Sequence, residues 1–360
     1  MRSVAIQAYS PPSGYQMLEI PKPELQGPKD VIIKVHAGSI NPIDVKYAGG
    51  AMKMVVSDTF PSPIGFDCAG TVTEIGSEVT RCKVGDDVYS RLPGSCRGSW
   101  SEYARCPEEC LALKPSSLSF EDSASIPLAA LTALQALRRY AGGLEGKTVF
   151  IPAGLSGTGS YACQLAKNVF KAGKVITTVS TAKVPKVPEL LGEIVVDEII
   201  DYRKSNPLTT IPAKSVDFIF DTVGQAMEFL PLMRPDGYII SIATLPSGNE
   251  MQNWDLLRLP HKPTVPIYAR IPLNLMDAYR RRKARRYGVQ YEYLLLEPNG
   301  KDLDLLTEYI EDGRLRPVVG SVVKFDDIEA VRKACQVVYD GQGGIGKAVI
   351  SMGGAGVGGE

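Results

Sequence analysis

An apolar run, Lys147-Thr-Val-Phe-Ile-Pro152, gives way to the small-residue loop Ala153-Gly-Leu-Ser-Gly-Thr-Gly159, and a helical pattern follows from Ser160. Backbone N–H groups reach an anion only where side chains stand aside, and Gly154, Ser156, Gly157 and Thr158 keep this loop open. A helix beginning near Gly157 aims its positive end at the same charge. Strand, loop and helix in that order predict a cradle for the pyrophosphate of a dinucleotide. The spacing departs from G-x-G-x-x-G, and an ordinary strand-to-helix connection is the alternative reading. A second apolar run, Lys174-Val-Ile-Thr-Thr-Val179, ends in Ser180-Thr-Ala-Lys183, about where a βαβ nucleotide site reads the adenosine ribose. An acid there would suit a free 2′-hydroxyl. Ser180 can donate to a 2′-phosphate and Lys183 can neutralise it, so NADPH is the predicted cofactor.

The elements that must carry this device change character along the chain. Residues 1–125 are β-rich, with Val31-Ile-Ile-Lys-Val-His-Ala37 alternating as a half-buried strand, and Ala69–Ile75 and Asp87–Ser90 as further strands between glycine turns. Strands then alternate with helices, with Val216–Phe220 and Gly237–Ile242 the clearest later strands, which implies a parallel sheet covered on both faces. Prolines at 246, 260, 263, 266, 272 and 298 predict an irregular insertion plus one basic helix near 273–287. A helix over 303–310, another entered from 324–334 and a closing strand at 346–350 complete the chain. The glycine-rich 351–360 segment has too little side-chain surface to pack and reads as a disordered tail.

With 360 residues, 44% of them hydrophobic and 22% charged, the chain is long for one core and comfortable for two domains. Forty basic residues balance forty acidic ones, which speaks against nucleic acid or an anionic membrane as bulk partner. The cluster Arg280-Arg-Arg-Lys-Ala-Arg-Arg286 is either a solvated helix face or an anion or partner patch. No secretory leader opens the sequence and no apolar run has the length of a membrane span, so the expected location is cytoplasmic. Seven scattered cysteines predict reduced thiols, and the Cys106/Cys110 pair lacks a partner pair for zinc.

The chain resembles the medium-chain dehydrogenase/reductase superfamily, and within it the zinc-independent quinone oxidoreductase and enone reductase branch. The resemblance runs from Val31 to Ile350 and is carried by Ala37-Gly-Ser-Ile-Asn-Pro-Ile-Asp44, Pro63-Ile-Gly-Phe-Asp-Cys-Ala-Gly-Thr-Val72, Val84-Gly-Asp-Asp-Val-Tyr89, Gly98-Ser-Trp-Ser-Glu-Tyr103, Ile126-Pro-Leu-Ala-Ala-Leu-Thr-Ala133, the loop at 153–159, Asp197–Tyr202, Asp217–Asp221 and Gly346-Lys-Ala-Val-Ile350. It implies an α/β protein: a GroES-like catalytic domain at 1–125, a Rossmann-type NADP-binding domain at 126–270, and a return to the catalytic domain at 271–350. The family's loop usually reads Gly-Ala-Ser-Gly-Gly-Val-Gly, so Leu155 and Ser156 here replace smaller residues. Tyr202 matches a position lying against the adenosine 2′-phosphate, and Lys347 belongs to the terminal motif, assigned to cofactor binding.

The metal-dependent branch polarises its substrate with a zinc held by Cys, His and Cys. This chain has Ser39 at the first cysteine and Gly65-Phe-Asp67 in place of Gly-His-Glu, and only His36 and His261 overall, so no metal is expected. Hydride addition to an activated acceptor, a conjugated enone or enoyl group or a quinone, then becomes the implied reaction. A donor must meet the oxygen on which charge develops. By resemblance Asn41 and Lys46 are the candidates, Thr132 touches the nicotinamide carboxamide, and Tyr47 is a proton source in competition with water. Asn41 also reads as a turn residue before Pro42, Lys46 as a solvated side chain, Thr132 as a cap or core hydroxyl, and Asp44 as a residue that orders the loop. Two further readings stay open. One is a trans-acting enoyl reductase of a polyketide pathway, with the arginine cluster meeting an acidic carrier protein. The other is a nucleotide-binding structural protein with little turnover. By analogy, the strand at 237–242 and the insertion after it lie where similar proteins form homodimers.

Overall fold

The computed structural model describes residues 1–342 and 344–353; the expected disordered tail at 351–360 is corrected at its start, where Ser351 ends a strand and Met352 N–H donates to His36 O, and 354–360 lie outside the described residues. Two sheets dominate. The first is a parallel six-stranded sheet ordered Glu198–Asp201, Lys174–Val179, Thr148–Ile151, Val216–Asp221, Met233–Ser241, Gln290–Tyr293. Its strands are built of β-branched and aromatic residues, and Val216–Asp221 is buried throughout because helices and loops cover both faces. Strand order reverses at Thr148–Ile151, whose neighbours are Lys174–Val179 on one side and Val216–Asp221 on the other. At such a reversal the connections leave in opposite directions and open a crevice, and the loop Ala153–Gly159 stands at its mouth.

The second sheet has seven strands and is formed largely from the first third of the chain, with Asp30–Ile40 pairing both Asp67–Ile75 and Tyr103–Pro107. The C-terminal strand Lys347–Ser351 returns to this sheet and runs antiparallel to Asp30–Ile40, with Ala348 opposite Ile40 and Val349 opposite Ser39. That register carries Lys347 to the end of the strand where Asn41 begins the helix Pro42–Ala48. A three-stranded sheet, Gln16–Glu19, Arg2–Ile6 and Ser62–Pro63, closes one side.

The α/β architecture with a β-rich second domain is therefore as expected, but the parallel sheet does not stop at residue 270. Helix Ile267–Arg285 and strand Gln290–Tyr293 belong to it, with Tyr238 opposite Gln290 and Ser241 opposite Tyr293. The helix begins six residues before the expected 273, and the strand QYEY, only four residues long and half polar, is fixed by its pairing with Met233–Ser241. The proline-rich segment after 246 folds as short turns whose Met251, Leu256, Leu257 and Val265 pack against Tyr47, Met52, Val56 and Phe66 of the β-rich domain. A buried ion pair, Arg91 with Asp255, ties the same segment to strand Asp87–Arg91, and Gly94 N–H donates to Asp255 at 3.1 Å.

All seven cysteines are buried free thiols. Five of them, Cys68, Cys82, Cys96, Cys106 and Cys110, share one apolar core in the β-rich domain, where they act as small hydrophobes. Among the described residues no helix is long and apolar enough to cross a membrane.

Candidate active site

The helix Gly157–Gln164 starts where the loop pattern places it, with Ser156 as N-cap; the Ser156 hydroxyl accepts from Gly159 N–H at 3.1 Å. The N–H groups of Gly157 and Thr158, in the first turn, have no intrahelical acceptor by helix geometry, and the parallel bridge between Ser156 and Gly346 sets the Gly346 carbonyl beside Gly157 N–H. Leu155, larger than the family's usual residue, is 1% exposed: its side chain joins the hydrophobic core and leaves the loop backbone open. Gly154 and Gly159 are required on packing grounds, since a Cβ would collide with the Thr177 hydroxyl at one and with the Ala153 carbonyl at the other. Ala153 itself adopts φ 56, a left-handed conformation more natural to glycine, and its N–H is held by the Thr178 hydroxyl at 3.1 Å.

A groove of about 620 Å³ runs from this loop, lined by Ser156, Ser180, Lys183, Tyr202 and Arg203 among others. Ser180 precedes a 3₁₀ turn without spending its hydroxyl as a cap, and Lys183 donates to the Gly344 carbonyl at 2.7 Å. Arg203, absent from the sequence reading, lies 5.5 Å from the Tyr202 ring centroid. Its signal was the run Tyr202-Arg-Lys204, in which only the aromatic residue was singled out. An open backbone cradle at a helix N-terminus, continued by a groove with two cations, fits a phosphorylated dinucleotide.

At the domain junction Asn41, Asp67 and Lys347 meet. Asp67 accepts from Ser39 Oγ at 2.8 Å, Asn41 Nδ2 at 2.8 Å and Leu128 N–H at 3.0 Å, the last at the N-terminus of helix Pro127–Arg138. Lys347 Nζ donates to Ile40 O at 3.1 Å and to Asn41 Oδ1, and stands 3.9 Å from Asp67 Oδ2. Asp44 Oδ2 accepts from Asn41 N–H at 2.6 Å. Burial raises the Asp67 carboxyl, opposed by the Lys347 ammonium and the Asn41 and Ser39 donors. Burial and then the Asp67 charge push Asp44 up to about 7, while burial lowers Lys347 against the pull of both carboxylates.

The other sequence candidates are placed unequally. Thr132 lies one turn beyond Leu128 and its hydroxyl donates to Leu128 O at 2.6 Å, the core-hydroxyl alternative. Lys46 is exposed on helix Pro42–Ala48 and is not part of the Asn41 cluster. Tyr47 is buried beside Phe66 and its hydroxyl donates to Asp58 at 3.1 Å, with Arg97 4.6 Å from the ring centroid. Burial raises the Tyr47 phenol; Arg97 opposes and Asp58 adds to that shift, which makes it a poor proton source. Asp67 and Ser39 were noted in the sequence only as residues that are not zinc ligands; nothing local announces that strand pairing brings them against Lys347. Among the described residues no group of three or more His, Cys, Asp or Glu side chains is placed to hold a metal ion.

The two domains and the reversal in strand order give the chain the two-domain architecture of alcohol-dehydrogenase-like proteins. Family models match at residues 27–116, the alcohol dehydrogenase GroES-like domain, and at 195–350, the zinc-binding dehydrogenase domain. The chain belongs to the medium-chain dehydrogenase/reductase superfamily. It is 38% identical over 226 residues to 2-methylene-furan-3-one reductase of Solanum lycopersicum, a match covering 61% of this chain and 56% of that protein's length. It is 30% identical over 329 residues to the mitochondrial NAD(P)H oxidoreductase RTN4IP1 of Bos taurus, covering 85% of this chain and 78% of the relative. The quinone oxidoreductase structure from Coxiella burnetii superposes with a TM-score of 0.78 at 26% identity, covering 98% of this chain and 99% of that one.

Proposed function

We propose that the chain is a zinc-independent, NADPH-dependent reductase of a carbon–carbon double bond conjugated to a carbonyl, with quinones as the second acceptor class. The observation that supports this reading is that the groove lined by Ser156, Lys183 and Arg203 begins at the helix N-terminus, where the Lys347 stem passes Gly157 and its ammonium ends in the Asn41–Asp67 cluster. Gly154, Ser156, Gly157 and Thr158 hold the pyrophosphate, and Ser180, Lys183, Tyr202 and Arg203 hold the adenosine 2′-phosphate. Bound there, the reduced nicotinamide supplies a hydride and leaves as the oxidised pyridinium. Thr132 shapes the wall near the nicotinamide through its tie to Leu128. Ser39 and Phe66 occupy positions where the metal-dependent branch carries ligands, and this motivates the zinc-free assignment. Water delivers the final proton.

Relatives named for conjugated carbonyls and quinones support this reading, while others carry alcohol dehydrogenase names, so alcohols belong in the panel as well. The test follows NADPH absorbance with a panel of neutral enones, enals, enoyl thioesters and quinones, with and without a chelator. Turnover that survives chelation is expected, and silence across the panel together with tight NADPH binding would favour a nucleotide-binding structural protein. The carrier-protein alternative is weakened because Arg280 donates to Leu245 O and Arg281 pairs with Asp277 and Glu250 inside the molecule. A homodimer remains part of the proposal: Tyr268, Ile271, Leu275 and Tyr279 form an exposed apolar stripe, 52–66% accessible, on helix Ile267–Arg285. Light scattering checks it. The proposed compartment is the cytoplasm, although the bovine relative is a mitochondrial protein, and fractionation of the full chain decides between them.

A further inference from the structure

An asparagine amide offers an oxygen and an NH₂ group of nearly the same shape, and either flip fills the same space. At Asn41 the surroundings remove that freedom. Lys347 can only donate and faces Oδ1; Asp67 can only accept and faces Nδ2 at 2.8 Å. Flipping the amide would set its oxygen against a carboxylate and its NH₂ against an ammonium, in a place where all three residues are 0–4% exposed and water does not screen them. Both clamping groups are themselves pinned. Lys347 is held by Ile40 O at 3.1 Å, through the pairing of Lys347–Ser351 with Asp30–Ile40. Asp67 is held by the Ser39 hydroxyl and by Leu128 N–H at a helix N-terminus, where negative charge is favoured.

We propose that Lys347 is a positioning residue of the hydride-transfer site, acting with Asp67 to lock the Asn41 side chain with its Nδ2 as the donor presented to the acceptor's carbonyl oxygen. The assignment differs from the cofactor-binding role expected for Lys347 and rests on the reductase reading above. Reduction of an enone adds a hydride at the β-carbon and a proton, from water, at the α-carbon. Between the two additions the electron pair of the C=C bond lies largely on the carbonyl oxygen. One Nδ2 hydrogen is committed to Asp67, and the second meets that oxygen. An amide free to flip would present Oδ1 there for part of the time and repel the charge it should stabilise. The clamp therefore acts before any substrate arrives, as preorganised donors do.

The amide can be read without turnover. In the ¹⁵N-labelled apo protein the Asn41 Nδ2 hydrogens, assigned by their loss in Asn41→Ala, are expected as a well-separated, slowly exchanging pair. Lys347→Met should collapse the separation and speed exchange, and Lys347→Arg should keep most of it. In parallel, kcat for an enone should fall by roughly 10²-fold in Lys347→Met, the scale for loss of one oxyanion donor, with Lys347→Arg recovering part of it and the NADPH Kd changing less than about 3-fold. If Lys347→Met does not fold, Lys347→Met/Asp67→Asn removes both charges together and should show the same collapse. An unmoved amide pair overturns the clamp. A weakened NADPH Kd with kcat intact overturns the positioning role and returns Lys347 to the cofactor. Absence of wild-type turnover overturns the reductase reading instead, and the amide pair alone then judges the clamp.

Discussion

Lys347 crosses Gly157 so closely that a Cβ on the glycine would stand 2.8 Å from the lysine Cδ. The loop Ala153–Gly159 and the Asn41–Asp67 cluster are thus joined by one buried side chain. Because the ammonium end is fixed by Ile40 and Asn41, the aliphatic stem has little room to yield. Gly157→Ala should cost about 1–3 kcal/mol by overpacking and should weaken NADPH binding at the same time. Urea titration and fluorescence titration measure the two effects. Wild-type values for both would show that the lysine stem moves aside freely.

The proposed 2′-phosphate site predicts that the groove distinguishes NADPH from NADH. Lys183→Ala and Arg203→Ala should each raise the NADPH Kd by about 10-fold or more, since a charge-assisted hydrogen bond contributes about 1.5–3 kcal/mol. NADH affinity should scarcely change, because it lacks the group these cations meet. Parallel losses for both nucleotides in isothermal titration would remove the 2′-phosphate assignment.

Arg91 and Asp255, 2% and 3% exposed, pin the proline-rich segment to the β-rich domain. Asp255→Ala leaves a buried guanidinium without its counter-charge and should destabilise by about 3–5 kcal/mol. Arg91→Leu/Asp255→Leu should lose clearly less, as both charges then disappear together. Denaturant midpoints of the two variants test the ordering. Equal losses would mean that the segment is held by its leucines and not by the pair.

Asp44 gives stability a pH dependence of unusual sign. Burial and the neighbouring Asp67 raise its carboxyl from 3.8 to about 7, so across that window the folded protein keeps a proton the unfolded chain has released. Its contribution is favourable at the acidic end, declines as pH rises from about 4 to 7, and is level above that. Asp44→Asn retains an acceptor for Asn41 N–H and has no charge to bury. Its melting temperature relative to wild type should therefore rise between pH 5 and pH 8, and a constant difference across that range would contradict the shift.

Much of the fold and part of the site are legible locally. Ala153–Gly159 reads as a strand-to-helix loop because glycine spacing and the apolar run before it are short-range properties, and the helix begins at Gly157 as expected. Leu155 looked like an obstruction, yet its side chain belongs to the core, a direction that residue type does not encode. Strand Gln290–Tyr293 was illegible for the opposite reason: it is four residues long with polar Gln290 and Glu292 between its two tyrosines, and Met233–Ser241 supplies the pairing.

Residue order alone thus determined the alternation of strands and helices and the strand–loop–helix turn at 153–159, since these depend on periodicity or neighbours within a few residues. Only the tertiary structure decided that Lys347, 306 positions from Asn41, faces its amide oxygen while Asp67 faces its nitrogen. It also separated Lys46 and Tyr47 from that cluster, although both lie within six residues of Asn41. The physical reason is that strand register and helix phase choose which side chains share a buried, low-dielectric space, and there a single charge sets the orientation of its neighbours.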